Sequence, residues 1–192
     1  MSITTALLGS STELEECESR IATLQLWLSS SLYSDHERHI NLVQLSYKRL
    51  ERYALSRQPE DIDKAILDLT EAILLPLPPL VDPDVCTCVI FCFFQLARFL
   101  STRFRLTSQP EDLKCSVDYF RHLYHSDLCL DPIGVPRSQI IIEFIKTLRT
   151  HVQLEAGNAT VTRTIEEMVA MCRELLISSI SGDDLEIGRA HV

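Results

Sequence analysis

Residues 56–66 read SRQPEDIDKAI and residues 107–117 read TSQPEDLKCSV, so one chain writes Gln-Pro-Glu-Asp twice, 51 residues apart, each time ahead of a similar apolar pattern. The match extends beyond the tetrapeptide. At the same offset Leu45, Arg52, Tyr53 and Leu55 fall on Leu96, Arg103, Phe104 and Leu106, while Ile62, Ile66 and Leu69 fall on Leu113, Val117 and Phe120. A self-match of this length marks an internal repeat whose unit includes the helix before the Gln-Pro turn. A weaker third copy lies 48 residues further on. There His151, Val152 and Leu154 follow Arg103, Phe104 and Leu106, and Val161, Ile165 and Met168 follow Leu113, Val117 and Phe120. Gly157-Asn158 replaces Gln109-Pro110 in this copy and still breaks the helix.

The second helix of each copy spaces its apolar residues at i, i+3, i+4 and i+7, which places them on one face. The three stripes are Ile62, Ala65, Ile66, Leu69, Ala72, Ile73; then Leu113, Ser116, Val117, Phe120, Leu123, Tyr124; then Val161, Thr164, Ile165, Met168, Met171, Cys172. Each is a surface to be buried against a neighbouring helix. Helix starts are signposted by Thr12 with Glu15 and Ser34 with Glu37, both spaced as capping boxes, and by Asp82 before Pro83. Pro59 and Pro110, each followed by Glu-Asp, put proline and then negative charge into a first turn. These signals predict helices at 12–31, 36–56, 60–75, 83–106, 110–125, 136–155 and 160–178. The result is an all-α domain over residues 12–178, with hairpins at 36–75, 83–125 and 136–178, between a flexible N-terminus (1–11) and a flexible tail (179–192).

Composition agrees with that class. Five glycines and 7% aromatics suit helices better than a sandwich, whose hairpins need glycine at many turns. Eighteen basic against 27 acidic residues give a formal charge of −9, which opposes attraction to nucleic acid or anionic lipid. Residues 1–10 lack the basic start of a signal peptide, and the apolar run at 85–100 is interrupted by Gln95 and Arg98, too short to span a bilayer. Seven cysteines, an odd number lying mostly within apolar helical runs, read as reduced thiols in a cytoplasmic protein without a disulfide framework.

In the first hairpin Ala65, Leu69 and Ala72 give a small, large, small spacing with Pro76 behind it, and Arg103-Phe104 precedes Pro110-Glu111-Asp112-Leu113. On these residues the chain, over 36–178, resembles a tetratricopeptide-type array, and especially the long-helix variety abundant in fungal proteins that often precedes a CHAT (caspase-like) domain. Its period of 48 to 51 exceeds the roughly 34 of the common repeat, and the small first-helix position holds Ser46 and Ala97 without glycine. The resemblance implies a right-handed α-α superhelix, a solenoid of three hairpins plus a leading helix, acting as a non-enzymatic binding scaffold. In such arrays the first helices line the concave groove. No CHAT-like catalytic region follows here, so proteolysis does not carry over.

Candidate chemistry is sparse. His36 and His39 are three apart, whereas the zincin motif needs histidines four apart on one helical face. His122, His125, Asp127 and Cys129 are metal-capable residue types, and a metal-binding protein or small enzyme built on them is one alternative reading. Cys86, Cys88 and Cys92 read as core packing, and spacing alone leaves a Cys/His nucleophile open. Glycine-rich phosphate loops and G-x-S-x-G elbows are absent, and the reading calls for no cofactor.

The first helices are basic on an acidic protein: residues 36–56 carry four basic and two acidic groups and 83–106 carry three and one, against one and five at 60–75. Lys48, Arg98, Lys146 and Arg149 are therefore the candidate groove residues for an acidic or carboxylate-ended peptide. The expected partner is a protein or peptide, with self-association into a homodimer, as a remnant or subunit of a larger multidomain protein, the alternative.

Overall fold

A computed structural model describes the backbone of residues 3–30, 32–76, 83–126, 135–154 and 160–189, with side chains at 12–30, 32–76, 88–126, 135–154 and 161–177. Seven α-helices and no strand occupy the described residues: α1 (Ile3–Leu28), α2 (Asp35–Ser56), α3 (Glu60–Leu74), α4 (Pro83–Thr107), α5 (Pro110–His125), α6 (Arg137–Leu154) and α7 (Thr160–Arg189). The fold is all-α. Among these residues no helix is long and apolar enough to cross a membrane.

The two Gln-Pro turns share one geometry. Arg57 and Ser108, equivalent at the 51-residue offset, are the two non-glycine residues with positive φ among the described residues, at 59° and 58°. Each left-handed residue donates its amide back into the last turn, Arg57 to Tyr53 O at 2.8 Å and Ser108 to Phe104 O at 2.7 Å, and so satisfies a carbonyl the ending helix would orphan. Gln58 and Gln109 then donate to the Ser56 and Thr107 hydroxyls, both at 3.4 Å. Beyond the turn, Arg52 forks onto the buried Asp61 and Arg103 onto the buried Asp112, the latter at 2.8 and 2.6 Å. An arginine in the last turns of one helix and an aspartate in the first turn of the next thus clamp each hairpin, with bidentate geometry that fixes the angle as well as the distance. In the third copy His151 and Thr160 occupy these positions, in place of the arginine and the aspartate. There α7 is held by Arg121 to Glu167 at 3.1 Å, and by Glu174, which accepts from Arg137 at 2.5 Å and from the Tyr124 hydroxyl at 3.0 Å.

The first two stripes pack as their spacing predicts: Ile62, Ala65, Ile66, Leu69 and Ala72 are buried, as are Leu113, Ser116, Val117, Phe120 and Leu123. Small residues let the paired helices approach. Ser46 on α2 and Ala65 on α3 become Ala97 on α4 and Ser116 on α5, the same pair with its identities exchanged, and all four are fully buried. The Ser116 hydroxyl uses this closeness to donate across the contact to Ala97 O at 2.7 Å.

Close packing runs between consecutive helices, with α4 also touching α6. The core is correspondingly divided along the chain: Cys17, Ile21, Leu24 and Leu45 join α1 to α2, a second cluster joins α3 to α4 around Leu69 and Phe99, and a third spans α4 to α7 around Phe94, Phe120 and Phe144. Phe120 stacks on Phe144 with centroids 5.9 Å apart and meets Phe94 edge-on at 6.0 Å.

Three expectations need correcting. The helix expected from residue 12 begins at Ile3, which leaves Thr12 and Glu15 inside it, because their spacing caps a helix only where the preceding backbone leaves helical geometry. The helix expected to stop at 178 continues to Arg189. In the third stripe Thr164 and Met171 are buried and Met168 packs on the core, but Ile165 and Cys172 are exposed. At the start of α2 the capping box is complete: Glu37 N donates to the Ser34 hydroxyl at 3.3 Å, and Glu37 accepts from Ser34 N at 2.9 Å, a bond that holds its carboxyl below the usual value. The Asp82 cap and the Gly157-Asn158 break lie outside the described residues.

Candidate functional site

Arg98 on α4 and Lys146 on α6 come together across a cleft of about 140 Å³ where these two first helices of successive hairpins touch. Ser101, Thr102 and Arg105 line it from α4, Glu143, Thr147 and Thr150 from α6, and Phe120 from α5. The lining holds three cations and one carboxylate on a chain whose net charge is −9.

Helical phase builds this site. At the repeat offsets of 51 and 48 residues, Tyr47, Arg98 and Lys146 are one position in three copies, and Thr102 and Thr150 are one position in two. The cleft forms where these positions of α4 and α6 come together. Arg98 is braced on its own helix, with Nη1 donating to Gln95 Oε1 at 3.2 Å and the guanidinium 5.7 Å from the Phe94 ring centroid. Its other N–H groups meet no further hydrogen-bond partner among the described residues. Arg105 donates to the Thr102 hydroxyl at 3.1 Å, and Lys146 lies 2.8 Å from Glu143. The threonine hydroxyls direct their protons into their own helices, Thr102 to Arg98 O at 3.0 Å, Thr147 to Glu143 O at 2.9 Å and Thr150 to Lys146 O at 3.1 Å. Beside the cleft, Tyr47 stacks on Phe91 at 5.6 Å, and burial raises its hydroxyl above the ordinary tyrosine value.

Two of the four expected groove residues lie elsewhere. Lys48 lines a separate cavity of about 520 Å³ between α1 and α2, beside Glu13, Glu16 and Glu51, and pairs with Glu51. It sits one residue past Tyr47, about 100° around the helix from the Arg98 position. Arg149 is exposed on α6 and is not part of the cleft lining. Arg105, which charge counting by helix did not single out, takes their place.

The other candidate residues that the structure describes take part in packing. His39 is buried with Nδ1 3.0 Å from Ala72 O, and since a carbonyl only accepts, that nitrogen carries the proton. Nε2 is then the acceptor facing the Cys92 thiol at 3.7 Å. This pair bridges α2, α3 and α4, and burial, with Cys88 nearby, pushes the Cys92 thiol up to about 12, far from a thiolate nucleophile at neutral pH. His122 meets the Phe93 ring and His125 the Tyr124 ring, while Asp127 and Cys129 lie outside the described residues. Among the described residues no three His, Cys, Asp or Glu side chains converge into a group that could hold a metal.

No protein-family model, curated protein or solved structure matches the chain.

Proposed function

We propose that this chain is a non-enzymatic interaction scaffold: an α-solenoid of three tetratricopeptide-like hairpins behind a leading helix, whose α4/α6 cleft captures a carboxylate of an acidic or carboxylate-ended peptide. Packing restricted almost entirely to consecutive helices supports the stacked architecture, as does a core divided along the chain. The observation that carries the function is the convergence of Arg98, Arg105 and Lys146 on an acidic protein.

Size narrows the ligand. A cleft of about 140 Å³ is well below the roughly 300 to 1,000 Å³ of sites that enclose a cofactor or drug-sized molecule, but it admits one carboxylate-bearing side chain or chain terminus. Glu143 already neutralises Lys146, so an entering carboxylate takes over a cation held in position rather than ordering a free one.

The test is selection from a random peptide library, followed by synthesis of each enriched peptide with its carboxylates intact and with every carboxylate converted to its amide. The acid form is expected to bind about tenfold or more tightly at low salt, one charge-assisted hydrogen bond being worth about 1.5 to 3 kcal/mol. The advantage should shrink as salt rises and vanish as the ligand carboxyls protonate near pH 4. Equal binding of acid and amide forms would remove the proposal.

A further inference from the structure

One face of α7 packs inward, and an adjacent face about 100° around the helix is unmatched among the described residues. Thr164 and Met171 are buried, Met168 and Leu175 pack on the core, and Glu167 and Glu174 are taken by Arg121 and Arg137. On that adjacent face Ile165, Val169, Cys172 and Leu176 are exposed, the three aliphatic residues at 47%, 43% and 64%. Their spacing of four, three and four is the seam of a helix pair, in which apolar side chains recur every 3.5 residues on average. It shares Ile165 and Cys172 with the third stripe and turns away from that stripe's core-facing residues, Thr164, Met168 and Met171.

The charges beside the seam say what covers it. In heptad terms Ile165 and Cys172 are d positions and Val169 and Leu176 are a positions, which makes Glu166 and Arg173 the two e positions. Both are exposed, and neither meets an opposite charge among the described residues. When two copies of this segment run antiparallel, a faces d, so Ile165 meets the other Leu176 and Val169 meets the other Cys172. The same register sets e against e, bringing Glu166 beside the other Arg173 twice by symmetry. A parallel pairing lacks this match.

We infer that α7 is a self-association surface on which a second copy of this chain seats antiparallel, its seam formed by Ile165, Val169, Cys172 and Leu176 and its orientation fixed by Glu166 and Arg173. Such an interface is isologous, with the same patch on both partners, and it closes as a dimer. It lies on α7 alone and does not depend on the cleft reading. The seam spans about 17 Å of helix at 1.5 Å per residue, so association is weak and visible as a concentration-dependent mass.

Sedimentation equilibrium of the full chain from about 1 µM to about 1 mM tests this, over a range in which weak pairs dissociate. Wild type is expected to pass from monomer to dimer, and Val169→Lys, an exposed change, to weaken association by on the order of 100-fold by placing charge in the seam. Glu166→Arg and Arg173→Glu should each weaken it by about tenfold by setting like charges opposite one another, and the double swap should restore it. A wild-type monomer throughout, a dimer indifferent to Val169→Lys, or a double swap that fails to restore association would each overturn the inference. Circular dichroism of every variant confirms that the fold is retained.

Discussion

Arg49→Leu alone is expected to lower the unfolding free energy by about 3 to 5 kcal/mol, whereas Arg49→Leu combined with Asp68→Tyr should return most of that loss. Arg49 Nε on α2 and Asp68 Oδ2 on α3 lie 3.2 Å apart with both side chains almost fully buried. Their alignment falls short of a hydrogen bond, and both atoms are without such a partner among the described residues. Attraction without good geometry does not offset the removal of two charges from water. Burial accordingly pushes the Asp68 carboxyl up to about 6, with Arg49 pulling the other way, and burial lowers Arg49 against the pull of Asp68.

The equivalent positions 51 residues further on carry no charge. At the 51-residue offset Arg49 and Asp68 become Leu100 and Tyr119, both part of the packing around Phe99 and Leu69. The double variant writes that uncharged pair into the first hairpin, whereas the single variant strands a buried carboxylate. The pH dependence has a definite sign. Because the folded carboxyl titrates at about 6 and the unfolded one at 3.8, its contribution is fully present below pH 3.8 and is lost as pH rises through about 6. Denaturant unfolding at pH 4 and pH 7 should therefore show the double variant gaining on wild type at the higher pH. A double variant as unstable as Arg49→Leu, or a difference independent of pH, would contradict this reading.

Arg98→Glu combined with Lys146→Glu is expected to weaken binding of a selected acidic peptide by on the order of 100-fold or more, the equivalent of two lost charge-assisted hydrogen bonds. Lys48→Glu, in the separate α1/α2 cavity, should leave binding within about twofold, as a rim charge remote from the contact does. Both cleft residues are at least partly exposed, so the fold should tolerate the change. The reversed pair should also gain affinity for a peptide in which lysine replaces each acidic residue. Loss with Lys48→Glu equal to that with the double reversal would place the binding surface elsewhere.

The hairpins were legible because their signals are local. Proline fixes φ, Glu-Asp suits the start of a helix, and the stripes repeat at helical spacing, so the ends at Ser56, Thr107 and His125 lie within about a residue of their expected places. The outer ends of α1 and α7 were not legible, because a Ser/Thr-x-x-Glu spacing occurs inside helices as well as at their starts. Partner choice among charges is a tertiary matter. Nothing local says that Arg49 meets Asp68, although Arg52 with Asp61 and Arg103 with Asp112 recur nine residues apart in both copies, a signal that could have revealed the clamp.

The site was half legible for a related reason. Counting charge by helix put Lys48 in the groove, whereas counting by repeat position pairs Arg98 with Lys146 and leaves Lys48 a residue out of phase. The outward turn of Ile165 and Cys172 had no such signal. Each belongs to two overlapping apolar spacings on α7, and only packing against α5 and α6 decides which of them faces the core.

The cleft reading is tested most directly by amide chemical-shift mapping of the ¹⁵N-labelled chain during titration with a selected acidic peptide and its amide counterpart. With the acid form, the largest shifts are expected at Ser101, Thr102, Thr147 and Thr150, beside Arg98, Arg105 and Lys146, and the amide form should leave them nearly unmoved. Shifts centred on the α1/α2 cavity around Lys48, or the same shifts from both peptides, would contradict the assignment of the cleft as a carboxylate site.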